Sequence, residues 1–274
     1  LVGGAGYRFG QRVQQDRAAL PIVAPSERET IGEADLEALP QPVGRWLRTC
    51  GLVGHVRPSQ IFLTQQANMY LRPGQETPFK ATARQVVVLN PPAFVWDVEL
   101  AMGPGFPVWG RDRFQDGRGE MLIKLLGLIP VANARDSPKI DEGALQRFLG
   151  ELVWYPAAAL ASYIEWEPLD DHSARATMRW QGTEGSGTFF FDEAGHFERF
   201  SAMRYQGGEP EAEKYEWVIE ALKRERREGL IIPVHMQATW KLPEGDWTWL
   251  DLRIDQMQYG DPEAEARNFF VPEH

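Results

Sequence analysis

Asp112, Asp116 and Glu120 lie close together in the sequence, and carboxylates so grouped can move protons or hold a hard cation. Asp116-Gly117 has the form of a hairpin turn, and the spacing lacks the ligand at nearly every second position that a calcium loop needs. A structural role is the reading for this group. Asp112 is its one residue set in an otherwise apolar and aromatic stretch. There an inward-facing, hydrogen-bonded carboxylate could serve an enzyme, with Arg113 or Arg147 as electrostatic partner.

The other reactive residue types are dispersed. His55, His172, His196, His235 and His274 form no HxH, HExxH or HxxxH pattern, so no metal site is expected. Ser186 sits in Gly185-Ser186-Gly187 without the strand-to-helix elbow that exposes a nucleophile, and Gly182 to Gly187 lacks the Lys-Ser/Thr of a phosphate loop. Cys50 is the single cysteine; it excludes an intrachain disulfide and a thiolate zinc site. Lys124 interrupts the apolar run Met121 to Leu126, where an ammonium either snorkels to water or meets an anionic headgroup at a cavity mouth. Tryptophan is plentiful, with Trp96, Trp109, Trp154, Trp166, Trp180, Trp217 and Trp240 on or beside predicted strands and helices. Such rings either fill a large core or line a ligand cavity. The candidate ligand-binding set is therefore Trp96, Trp109, Asp112, Lys124, Trp154, Trp180 and Trp240, with no catalytic residue, metal or cofactor expected.

These residues need elements to carry them. Gly and Pro together make up about a sixth of the 274 residues, above the usual share of roughly 12%, so frequent turns are expected. The formal charge of -10 and pI near 5.1 repel phosphate and argue against nucleic acid as a partner. Leu1 to Leu20 starts small and apolar, then turns basic at Arg8, Arg12 and Arg17. It is expected to be the tail of a removed anchor or signal segment, or else a frayed terminus, followed by a proline-punctuated linker from Pro21 to Glu29.

From Thr30 onward a Thr30-x-x-Glu33 capping box predicts a short helix, and Pro42 starts another in which Val43, Trp46, Leu47 and Cys50 share one face. After Pro58 the period becomes two, as in Phe94, Trp96, Val98 and Leu100 or Met236, Ala238, Trp240 and Leu242. The connectors Asp116-Gly117, Glu193-Ala194-Gly195, Gly207-Gly208 and Glu244-Gly245 join neighbouring antiparallel strands. A helical period returns once, with Asp141 as cap and Leu145, Phe148, Leu149 and Leu152 on one face; Trp154-Tyr155-Pro156 then starts an Ala-rich turn. The expected fold is α+β, mainly antiparallel β: a curved meander or half-barrel sheet with short helices packed on one face. It forms a single domain over residues 30–260, with a C-terminal tail at 261–274.

Several phrases resemble a bacterial domain-of-unknown-function family whose members often carry an N-terminal membrane segment. They are Leu39-Pro40-Gln41-Pro42-Val43, Pro92-Ala93-Phe94-Val95-Trp96, Gly110-Arg111-Asp112-Arg113-Phe114, Arg147-Phe148-Leu149, Trp154-Tyr155-Pro156 and Trp240-Lys241-Leu242-Pro243. A fainter likeness of the second half, with its Gly229 to Pro233 strand, is to lipoprotein carriers of the LolA and LolB type. That likeness implies a half-barrel that holds acyl chains, no catalysis, and an extracytoplasmic location. Arg8, Arg12 and Arg17 after a lost anchor would instead favour the cytoplasmic side. The leading expectation is a membrane-associated binding protein for a lipid-like or apolar ligand, touching the membrane only through an upstream segment. Its competitors are a carboxylate enzyme around Asp112 and an interaction module with an exposed aromatic patch.

Overall fold

A computed structural model of the chain describes residues 2–21, 29–103, 107–126 and 129–260. The expected tail at 261–274 and most of the expected linker lie outside these residues. One antiparallel sheet of 13 strands dominates the fold. Strands β1 (Gln60–Met69), β2 (Phe79–Leu89), β3 (Pro92–Ala101), β4 (Pro107–Gln115), β5 (Arg118–Leu125) and β6 (Ile129–Ala134) step outward in order from the centre. The chain then crosses to the far edge and returns through β7 (Ile164–Asp170), β8 (Ser173–Trp180), β9 (Thr183–Phe191), β10 (Phe197–Tyr205), β11 (Lys214–Arg227), β12 (Leu230–Leu242) and β13 (Gly245–Gly260). Because β13 pairs antiparallel with β1, the two halves of the meander join at the middle of the sheet.

The crossing is the helical interruption that the sequence marks. It contains α3 (Pro138–Gly150) and two 3-10 helices, Glu151–Trp154 and Pro156–Leu160. The sheet curls without closing, until the hydroxyl of Thr183 at the β8–β9 turn donates to the carbonyl of Gly117 at the β4–β5 turn, 2.7 Å away. Asp116 and Gly117 both have positive φ, the backbone that the favoured two-residue hairpin turn demands. Helix α3 spans this seam, packing on β4 and β5 from one side and on β8, β9 and β10 from the other. Close approach requires Gly119, where a Cβ would stand 2.6 Å from the Ile140 carbonyl.

The inner face is apolar by strand parity. Ile61, Leu63, Val87, Phe94 and Phe114 meet Leu145, Phe148, Leu149 and Tyr155 from the helical segment in one large buried cluster. Helix α2 (Gln41–Thr49) adds Val43, Trp46 and Leu47 to the same cluster, with Trp46 stacked on Phe189 and Phe191. Cys50 ends this helix as a packed core residue, its thiol donating to the Leu47 carbonyl.

Three local expectations differ from the structure. Thr30 does not cap a helix but bridges to Val56, and the short 3-10 helix Glu33–Leu36 begins after Gly32, whose N–H donates to the Asp35 carboxylate at 2.7 Å. Asp141 lies inside the first turn of α3, behind the cap position Ser137. It accepts from the Gly119 N–H at 2.8 Å and from Arg118 at 3.0 Å, so it ties α3 to β5 instead of capping its own helix.

The third difference concerns the start of the chain. Residues expected to lie apart from the body form α1 (Val2–Ala18), which packs on the outer face of the sheet. Phe9, Val13 and Leu20 bury against Phe62, Val86, Val88, Val95 and Leu122, a second core on the side opposite α2 and α3. Helices therefore cover both faces. No helix among the described residues is long and apolar enough to cross a membrane.

Candidate functional site

Strand parity selects which polar side chains enter the interior. On β2 the inward series is Ala81, Ala83, Gln85 and Val87, and opposite it β3 presents Leu100, Val98, Trp96 and Phe94. Gln85 thus sits across from Trp96, which in turn sits across from Asp112 on β4. Polar groups in such a place must pair, since an unmet donor or acceptor there costs about 1–3 kcal/mol.

They pair with one another and with α3. The Trp96 indole donates to Gln65 Oε1 at 2.8 Å, Gln65 donates to Gln85 at 3.1 Å, and Gln85 donates to Glu151 at 2.6 Å. Arg147 completes the chain, donating through Nε to Glu151 at 2.8 Å and through Nη1 to Asp112 at 2.7 Å. Its guanidinium also lies 4.7 Å from the centre of the Trp96 ring and 5.0 Å from that of Phe94. Burial alone would lower the Arg147 pKa, but Glu151 and Asp112 outweigh it and hold it above the ordinary arginine value.

A second arginine, Arg204 on β10, enters the same interior. It stacks over Trp217 at 4.4 Å and reaches Trp240 at 6.0 Å. Its pKa falls to about 10 because burial removes water, with Arg147 adding repulsion and Asp112 and Glu151 offsetting part of it.

The apolar surroundings change along the strands. Toward the ends of β1, β3, β5 and β12 the inner face carries Phe79, Leu125, Tyr215, Leu242, Trp247 and Leu250, all half-buried at the margin of the main core. Among the inward positions nearby, Ala67, Ala81, Ala83 and Ala238 are small. Helix α3 packs chiefly on β4, β5, β8, β9 and β10.

The seven expected ligand residues divide between the faces. Trp96, Asp112, Trp154, Trp180 and Trp240 belong to the inner side. Of these, Trp154 is deep in the helical plug, its indole donating to the Pro233 carbonyl at 3.0 Å, and Trp180 meets Tyr163 edge-on. Trp109 and Lys124 lie on the outer face, so no single cavity joins them to the rest. Trp109 packs against Phe9 and beneath Gly6 of α1. Lys124 borders a cavity of about 280 Å³ with Arg12, Arg111, Glu120 and Arg135. A neighbouring cavity of about 500 Å³ runs between α1 and the strands past Thr64, Thr82, Arg84 and Asp97. Both cavities described are thus on the α1 side and largely polar.

Ion pairs fasten α1 above them. Arg17 pairs with Asp97, which also receives Arg84 at 2.8 Å; Asp16 takes Arg111 and, at 3.3 Å, Arg113, while Arg111 also reaches Glu120 at 2.6 Å. Arg113 therefore faces α1, not Asp112. No group of three or more metal-ligating residue types converges among the described residues.

Sequence reasoning had named Arg147 but missed Gln65, Gln85, Glu151 and Arg204. A usable signal existed for three of these. Gln65, Gln85 and Arg204 occupy inward-parity positions otherwise held by apolar or small residues, and a polar residue at an inward position marks an interior network.

Fold and site together define an antiparallel half-barrel, plugged by helices across its seam and holding a charged hydrogen-bond chain inside. Residues 29–252 match the family of unknown function DUF6544, and the chain belongs to that family. No curated protein matches it. Among solved structures it is similar to a DUF1329 family protein from Desulfovibrio piger, with 8% identity over 87% of this chain and 97% of that one, at a TM-score of 0.45. It is also similar to a LolA superfamily protein from Nitrosomonas europaea, with 9% identity over 79% of this chain and 92% of the other, at a TM-score of 0.38.

Proposed function

We propose that the protein is a non-catalytic binding protein that takes a lipid-like or other apolar ligand against the inner face of its half-barrel. The observation that carries this reading is the half-exposed apolar set Phe79, Leu125, Tyr215, Leu242, Trp247 and Leu250, which faces inward at the margin of the main core. Apolar side chains on a concave, partly wet surface gain about 25 cal/mol per Å² when an apolar ligand covers them. The small residues Ala67, Ala81, Ala83 and Ala238 near that set give an alkyl chain less side-chain bulk to displace. Asp112 supports binding over acid–base chemistry, because its carboxylate is engaged by Arg147.

The test is a titration of the purified protein with a long-chain fatty acid, followed by tryptophan emission. Trp240 and Trp247 face each other across β12 and β13, so saturable quenching or a blue shift is expected, and Leu250→Asp should weaken it at least ten-fold. A linear, unsaturable response equal in both proteins would contradict the reading. An extracytoplasmic, membrane-associated location goes with this proposal, and fractionation of cells producing the full-length protein checks it.

A further inference from the structure

Two neighbouring hydrogen-bond donors of the interior have no protein acceptor among the described residues. The Trp217 side chain is 3% exposed and its Nε1 is buried without a partner. Arg204 lies over that same ring and makes no hydrogen bond or ion pair among the described residues, although it remains part-exposed. Buried donors are nearly always met, and a guanidinium offers five N–H groups in a fixed fork suited to carboxylate or phosphate.

The nearby carboxylates do not meet this need. Asp112 and Glu151 both bond to Arg147, and Arg204 feels them only at longer range. Helix α3 presents no side chain at the closest point, because Gly143 is there: a Cβ would stand 3.2 Å from Arg204 Nε. Tyr215, directly across from Arg204 on β11, has its hydroxyl bonded to Glu213 instead. Tyr215 and Leu242 belong to the half-exposed apolar set, and Trp240 contacts the guanidinium. The unmet donors therefore adjoin the surface assigned to the apolar ligand.

We infer that the ligand is an amphiphile with an anionic head, and that Arg204, with the Trp217 indole N–H beside it, binds that head while the chain lies along the apolar inner face. This rests on the apolar-binding reading above and adds the headgroup class. A carboxylate and a phosphate monoester share the chemistry. Each accepts from a guanidinium through charge-assisted hydrogen bonds, of the kind worth about ten-fold or more in affinity.

The experiment compares dodecanoate, dodecyl phosphate and dodecanol by calorimetric titration of the full chain. Both anions are expected to bind at least ten-fold more tightly than the alcohol, the stronger of the two identifying the head. In Arg204→Gln the anions should fall to the level of the alcohol while the alcohol keeps its affinity, which also shows that the variant is folded. Trp217→Phe, which keeps a ring and loses the N–H, should lose part of the preference and serves if Arg204→Gln does not fold. Equal binding of all three to the unaltered protein would overturn the headgroup assignment and leave the apolar reading standing. A preference that survives both substitutions would overturn it as well. Binding of none would overturn the apolar reading and this inference with it.

Discussion

Arg147 is the residue on which the interior turns. It is a cation placed against the rings of Phe94 and Trp96, and it is tolerable there only because Glu151 and Asp112 both contact it. Removing one partner of a buried pair is far costlier than the pair is worth, at about 3–5 kcal/mol. Glu151→Ala would also strip Gln85 of its acceptor, so a loss of about 3 kcal/mol or more is expected in urea unfolding at neutral pH. Substitution of a surface glutamate such as Glu167 should change stability by less than about 0.5 kcal/mol. Cys50 gives a second residue-level expectation. Burial pushes its thiol up to about 12, so a thiol reagent at pH 8 should leave the native chain unmodified and react fully once it is unfolded.

At the scale of elements, α3 holds the seam and α1 covers the outer face, and the two should differ in how they fail. Gly119→Ala drives a methyl into the Ile140 backbone. Neither partner can rotate away, so a cost of about 1–3 kcal/mol in global stability is expected from overpacking, read as a lower urea midpoint. Phe9→Ala on α1 should act locally. That helix contains Gly3, Gly4, Gly6 and Gly10, which weaken it by roughly 1 kcal/mol each relative to alanine, so its order depends on docking. Hydrogen exchange should show protection lost over α1 while β2 and β3 keep theirs.

Elements also show what the sequence made legible. Strand β3 is legible because Phe94, Trp96, Val98 and Leu100 keep an unbroken period of two, whereas a register shift after Phe197 interrupts β10. Strand β11 is less legible along its length: register shifts around Lys223 break its period of two, although it runs on to Arg227. The edge strand β6 was missed altogether: it is short and contains Pro130, and such residues are tolerated at sheet edges while erasing the strand signature. Helix α1 was missed because its glycines and scattered apolar residues carry little helical signal; burial of Phe9 and Val13 supplies what propensity does not. The site was half legible. Trp96, Asp112 and Arg147 could be named, but parity alone does not reveal that Trp109 and Lys124 fall on the opposite face until β4 and β5 are placed.

For the whole molecule, the interior sets a pH limit. Tyr155, Tyr163 and Tyr259 have their pKa raised above the ordinary tyrosine value, in each case chiefly by burial. In the unfolded chain these phenols ionise near pH 10, so above that pH the folded state binds more protons than the unfolded state. Stability is then fully present below about pH 10 and falls as pH rises further. Absorbance at a tyrosinate wavelength should show these three phenols silent through pH 10 and titrating only together with the loss of tertiary structure.

On the proposed reading an apolar ligand lies on the inner face, where β1, β3, β5 and β12 end, and not in the polar cavities beside α1. Methyl NMR of the Ile-, Leu- and Val-labelled protein, titrated with a long-chain fatty acid, reads both faces at once. Saturable shifts at Ile123, Leu125, Leu242 and Leu250, with Val13, Val86 and Leu122 unmoved, are the predicted result. Shifts confined to Val13, Val86 and Leu122, or none at either face, would contradict it.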